Sequence, residues 1–198
     1  MLDSKDAYLH VVYDYRYLAL AGAGRRLYGP GGHGRAIESA NALLPGIGVL
    51  LLDSLLIHAR ALIEFFMTAD RRDTDIRLSD FDGLVIDQQR RGKLEKFKKP
   101  VEVHVLHLTA WRDVAYRAGN TKNARPYWDT EAIPLVELLL DALLDASAAA
   151  AAKSKWERPF QQLHHAATNL LADCNFAWPP HLTEKEDVMT YLAGEGIH

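Results

Sequence analysis

The chain of 198 residues has one cysteine, Cys174, so it holds no internal disulfide framework and belongs to none of the small scaffolds that need one. Cys174 is expected as a small core residue in a reducing compartment. A strong charge bias is also missing. With 23 basic and 26 acidic residues the net charge is -3, which gives no overall field for nucleic acid or an anionic membrane and leaves such contacts to a local patch. No apolar run is fit to span a bilayer, because the longest, from Ile47 to Phe66, is interrupted by Asp53, His58, Arg60 and Glu64. The N-terminus, MLDSKDAYLHVVYDYRY, lacks the basic-then-apolar order of a secretory signal, and a cytoplasmic protein with no membrane partner is expected. Also absent are a Gly-x-Ser-x-Gly elbow, a His-Glu-x-x-His pair and EF-hand spacing in DIRLSDFDG, where Asp75, Asp80 and Asp82 are explained by turns. No cofactor is implied. No repeat of 20 to 50 residues is visible, which excludes a solenoid.

What the chain does have is apolar residues, 48% of the total, enough to build one core over residues 1–198. Their spacing predicts an all-α fold, a helical bundle of six to seven helices. The first helix runs from Asp6 to about Leu20, and a Gly-rich loop occupies about residues 24–35, GRRLYGPGGHGR. With no strand before it, that loop does not meet the context of a phosphate-binding loop. A short helix is expected over 36–44. From Leu52 the apolar positions 52, 55, 59, 62 and 66 mark a helix seam, widened by Leu51, Leu56, Ala61, Ile63 and Phe65. A basic run follows, with Arg90, Arg91, Lys93, Lys96, Lys98 and Lys99, and it is read as a solvated face or a substrate-binding patch formed by Arg90, Arg91 and Lys93. VEVHVLHL alternates like a strand, but Pro100 suits a helix start and a lone strand would have no partner, so helix is expected there. Thr130 is expected to cap the leucine-rich helix that holds Pro134 in its first turn and ends in five alanines at 148–152. WERPFQQLHHAATNLLADC gives another helix. Thr183 and Glu186 suggest a capping box for a terminal helix in a C-terminal appendage, about residues 181–198.

The helix near Leu50 to Met67 carries the first polar group of interest. At 100° per residue, Asp53, Arg60 and Glu64 fall within about 40°, whereas His58 lies about 160° from Arg60. The eye-catching His-Ala-Arg triplet therefore serves two faces, and Asp53, Glu64, His58 and Thr109 are expected as structural polar residues, with Arg60 in an internal ion pair. His104, His107 and Trp111 share an arc of about 60° on a second helix, with Thr109 and Arg112 turned away. Two histidines fall short of the three protein ligands zinc wants, so no metal site is assigned; a metal-dependent enzyme using His104, His107 and carboxylates is the third functional reading.

LLIHARALIEFF, DIRLSDFDG, KPVEVHVLHLTAWR and YWDTEAIPLVELLLDALL, taken in order over residues 50–146, resemble an uncharacterised bacterial all-helical family. In that family a His-x-Arg helix precedes one with His-Leu-Thr-x-x-Arg. The residues that carry the resemblance are His58, Arg60, Phe65, Asp80, His107, Leu108, Thr109, Arg112 and Trp128. More distantly, the chain resembles the HEPN superfamily, in which an Arg, four to six intervening residues and then a His serve metal-independent ribonucleases that act as dimers. That spacing occurs at Arg26 to His33 and at Arg158 to His164 and His165, the latter in a helical context. The resemblance implies a HEPN-like bundle, a homodimer acting on or binding RNA in a toxin or phage-defence setting, with a protein partner or antitoxin. Its catalytic residues are expected among His107, Arg112, Arg60, Arg158 and His164, with His as general acid or base and Arg stabilising phosphorane charge. A non-enzymatic helical interaction or oligomerisation module is the alternative.

Overall fold

The seam at Leu52, Leu55, Ala59, Leu62 and Phe66 forms as expected in the computed structural model, which describes residues 3–28, 47–67, 75–106, 128–148 and 154–198. Leu55, Ala59, Leu62 and Phe66 are buried, and Leu52 packs against the core. The described residues form an all-α bundle of six helices: α1 (Ser4–Tyr28), α2 (Ile47–Met67), α3 (Gln88–Leu106), α4 (Trp128–Ala148), α5 (Glu157–Ala172) and α6 (Lys185–Gly194). Two 3-10 turns, Leu78–Asp80 and Pro180–Leu182, join them. No described helix is long and apolar enough to cross a membrane.

The hub is α1, which packs against α2, α4, α5 and α6, while α3 lies against α2 and α4. Two buried tyrosines fix its place. The Tyr8 hydroxyl donates to the Pro159 carbonyl at 2.7 Å and that of Tyr15 to the Leu139 carbonyl at 2.9 Å, tying α1 to α5 and α4. Burial holds both phenols well above their ordinary pKa, so they remain donors, each bond contributing about 0.5–1.5 kcal/mol. Around Tyr8 stands an aromatic cluster in which Phe81 lies 4.8 Å from Trp156 and 5.0 Å from Phe160. It draws the connection after α2 into the core. There Gly83, with φ +80, makes a turn that a larger residue resists, and the Ser154 hydroxyl donates to the Asp82 carbonyl.

Several boundaries differ from the sequence reading. Helix α1 does not stop at the glycines of AGAG; it runs through them to Tyr28. A Cβ at Gly22 would sit 2.8 Å from Leu171 Cδ1, and one at Gly24 2.9 Å from Leu51 Cδ2, so these glycines allow α5 and α2 to approach closely. Residues 24–28 of the expected Gly-rich loop are thus helical, and Arg26 bonds Glu137 at 2.7 Å; residues 29–46, with His33 and the short helix at 36–44, lie outside the described residues. The basic run is itself helical, and Pro100 lies inside α3 and does not start it. Likewise α4 opens at Trp128, which puts Thr130 and Pro134 within the helix. The capping box at Thr183 does not form: its hydroxyl donates back to the Pro179 carbonyl at 3.0 Å, and Glu184 precedes α6. The segment expected as an appendage buries Leu182, Val188, Leu192 and Ile197 in the common core. Cys174 is half-buried and not a core residue.

Candidate functional site

Helix α2 distributes its polar residues as the wheel requires. On one side His58 meets α1, where Nδ1 lies 2.8 Å from Asp14 Oδ1. A carboxylate can only accept, so Nδ1 carries a proton in this bond. The ring stacks on Tyr17 at 5.5 Å and meets Tyr13 edge-on at 5.6 Å, and Nε2 makes no hydrogen bond among the described residues. The bond to Asp14 joins α1 to α2.

On the other side the stripe of Asp53, Arg60 and Glu64 splits. Asp53 Oδ1 lies 3.4 Å from Nε2 of the buried His104, so the stripe does meet α3. Arg60 pairs with Glu64 at 3.0 Å on its own helix, with side chains 33% and 49% exposed. That surface pair replaces the expected internal one, and pairs of this kind contribute about 0.3–0.5 kcal/mol. His107, Thr109 and Arg112 lie outside the described residues. Among the described residues no group of three His, Cys, Asp or Glu is placed to hold a metal.

The basic patch also divides. Arg90 reaches across to α4, bonding Asp145 at 2.7 Å and Asp141 at 2.9 Å. Burial alone would lower its pKa, but the bonds and charges of Asp145 and Asp141 raise it beyond its ordinary value. Arg90 therefore clamps two helices together. Arg91 and Lys93 are exposed, as are Lys96, Lys98 and Lys99.

On α5, Arg158 and His164 are about 120° apart around the helix and do not face one groove. His164 is half-buried; burial lowers its pKa, Asp141 raises it and His165 lowers it, the net shift being downward. Its Nε2 lies 3.4 Å from the Thr168 hydroxyl. Arg158 instead borders an open groove of about 530 Å³ with Gln162, His181, Asp187, Thr190 and Tyr191. The rings of His181 and Tyr191 are 4.7 Å apart. Tyr191 has a buried hydroxyl oxygen without a hydrogen bond among the described residues, and burial, then the charge of Glu195, push its pKa up to about 12 against the opposing effect of Arg158. Glu195 holds the Arg158 guanidinium at 3.1 Å. His181 had no signal in the sequence, since it shares a groove with Arg158 only once the Pro180–Leu182 turn packs against α6. No family model, curated protein or solved structure matches the chain.

Proposed function

We propose that the chain is a HEPN-like helical bundle that acts on RNA without a metal, using the groove that holds Arg158 and His181. The observation behind this reading is the convergence of a highly exposed arginine and an imidazole, its ring set beside that of Tyr191, on one open groove. In the proposed reaction His181 takes the proton of a ribose 2′-hydroxyl, and the freed oxygen attacks the adjoining phosphorus. The bond from phosphorus to the 5′-oxygen breaks, and the proton held by His181 passes to the leaving oxygen. The products are a 2′,3′-cyclic phosphate and a 5′-hydroxyl. Arg158 offsets the charge that builds on phosphorus, exchanging Glu195 for the phosphate as it does so.

Incubating purified protein with total RNA in chelator tests this. Cleavage that is lost in both Arg158→Ala and His181→Ala is the expected result. Cleavage that persists in either variant, or none in the wild type, removes the groove from the chemistry. Glu195→Gln, which releases the guanidinium, is expected to tighten RNA binding.

A second reading, an interaction module, is favoured by the α1–α2 face. Tyr13, Leu20, Leu50 and Ile57 are between 44% and 67% exposed there, large apolar side chains left in water on adjoining helices. A homodimer in sedimentation that dissociates in Ile57→Glu supports it, and a monomer at high concentration removes it.

A further inference from the structure

Between α1 and the turn that precedes α6 lies a cleft of about 460 Å³. Leu9, Val12, Tyr13 and Leu182 form its apolar wall, and its polar groups are His10, Arg16, Thr183 and Lys185. No carboxylate is among the described residues that line it. A second cleft that shares His10 has the opposite character, with Asp14, Glu64 and Asp75 in its lining. The larger cleft therefore has the size for a small organic ligand and a lining suited to an anion with an apolar body.

Helix α1 sets the cation in place. At 100° per residue, Leu9, Val12, Tyr13 and Arg16 fall within about 100° of arc, so Arg16 shares a face with the apolar wall. Asp14, the acid nearest to it in sequence, lies about 160° away around the helix and is bonded to His58 on α2. The Arg16 guanidinium lies over the Trp178 ring, 5.8 Å from its centroid, and makes no ion pair or hydrogen bond among the described residues. Trp178 is fixed in turn, because its indole N–H donates to the Leu182 carbonyl at 2.7 Å. A guanidinium that faces a ring keeps its edge, with the N–H donors in its plane, for a carboxylate. The neighbouring groups are already committed: Asp6 holds Lys185 at 2.9 Å, and the Thr183 hydroxyl donates to the Pro179 carbonyl at 3.0 Å.

We propose that this cleft is a binding site for a small monocarboxylate with an alkyl body, such as a medium-chain fatty acid. The two carboxylate oxygens match the fork of one guanidinium, that of Arg16, whereas a phosphate dianion would keep an oxygen and a charge without a partner. Leu9, Val12 and Leu182 take the alkyl body, which leaves water on binding. The site shares no lining residue with the Arg158 groove and stands or falls apart from the RNA reading.

Octanoate is the probe, titrated against the full chain by calorimetry and by amide chemical shifts, with octan-1-ol and acetate beside it. Saturable binding at millimolar octanoate is expected, with shifts at Tyr13, Arg16 and Thr183. Octan-1-ol and acetate are each expected to bind at least about tenfold more weakly, since one lacks the charge and the other the body. Arg16→Gln is expected to weaken octanoate by at least about tenfold while leaving octan-1-ol unchanged, so that the preference for the acid disappears. Tyr13→Glu, at an exposed position three residues before Arg16, offers the guanidinium an internal carboxylate and is expected to weaken octanoate to a similar degree. Arg158→Ala is expected to leave octanoate binding unchanged. The proposal is overturned by the absence of saturable octanoate binding, by octan-1-ol binding as tightly as octanoate, by a preference for octanoate that survives in Arg16→Gln, or by shifts confined to the Arg158 groove.

Discussion

Removing the carboxylate of Asp14 tests whether His58 is held in one tautomer. In the folded chain the bond of 2.8 Å to Asp14 Oδ1 joins side chains that are 12% and 24% exposed, and it links α1 to α2. A hydrogen bond to a charged group contributes about 1.5–3 kcal/mol, and partial exposure of this pair favours the lower part of that range. Asp14→Ala is therefore expected to cost about 1.5–2 kcal/mol. With a urea slope of about 2–3 kcal/mol per molar for a chain of this size, the unfolding midpoint falls by about 0.5–1 M. Asp14→Asn keeps an acceptor oxygen without the charge and is expected to lose about half as much. Nitrogen chemical shifts of the His58 ring supply the second readout: the proton sits on Nδ1 in the wild type and redistributes towards Nε2 in Asp14→Ala. A midpoint within error of the wild type, together with an unchanged tautomer, would refute the reasoning.

Other side chains give equally direct checks. Phe81→Ala removes a ring that is 1% exposed and is expected to cost about 3–5 kcal/mol in urea unfolding, whereas a loss under about 1 kcal/mol would mean that the 75–87 connection is not anchored in the core. Arg90→Ala leaves Asp141 and Asp145 without their partner and is expected to cost about 1–2 kcal/mol; a double-mutant cycle with Asp145→Ala that shows no coupling would contradict the clamp. His164 has a folded pKa below 6.5, so its contribution is complete above that value and is lost as pH falls from about 6.5 through the folded pKa. The melting temperature of His164→Gln is accordingly expected to fall less than that of the wild type between about pH 7 and 5.5, and parallel curves would remove the effect.

The periodicity of α2 carried real information. It located the buried seam and separated His58 from the Asp53, Arg60 and Glu64 stripe, since both follow from 100° per residue. It could not name the partners. Asp14 lies 44 positions from His58 and meets it only because α1 and α2 pack together. The glycines at 22 and 24 were misjudged for a related reason: their cost to an isolated helix is local, whereas the close approach of Leu171 and Leu51 that favours them is tertiary. Phe81 was hidden among charged and turn-forming neighbours, so a single anchoring ring left no periodic trace. The Arg158 to His164 spacing was counted along the chain, but the helix turns the two apart and brings Arg158 to the same groove as His181.

The proposed RNA chemistry depends on an attacking 2′-hydroxyl. The most direct measurement compares, in chelator, cleavage of an oligoribonucleotide with cleavage of the same strand carrying 2′-deoxyribose at the scissile position. Cleavage of the all-ribose strand to a 2′,3′-cyclic phosphate, abolished by the single deoxy substitution and in His181→Ala, is the predicted result. Equal cleavage of the two strands, or dependence on an added metal, would contradict it.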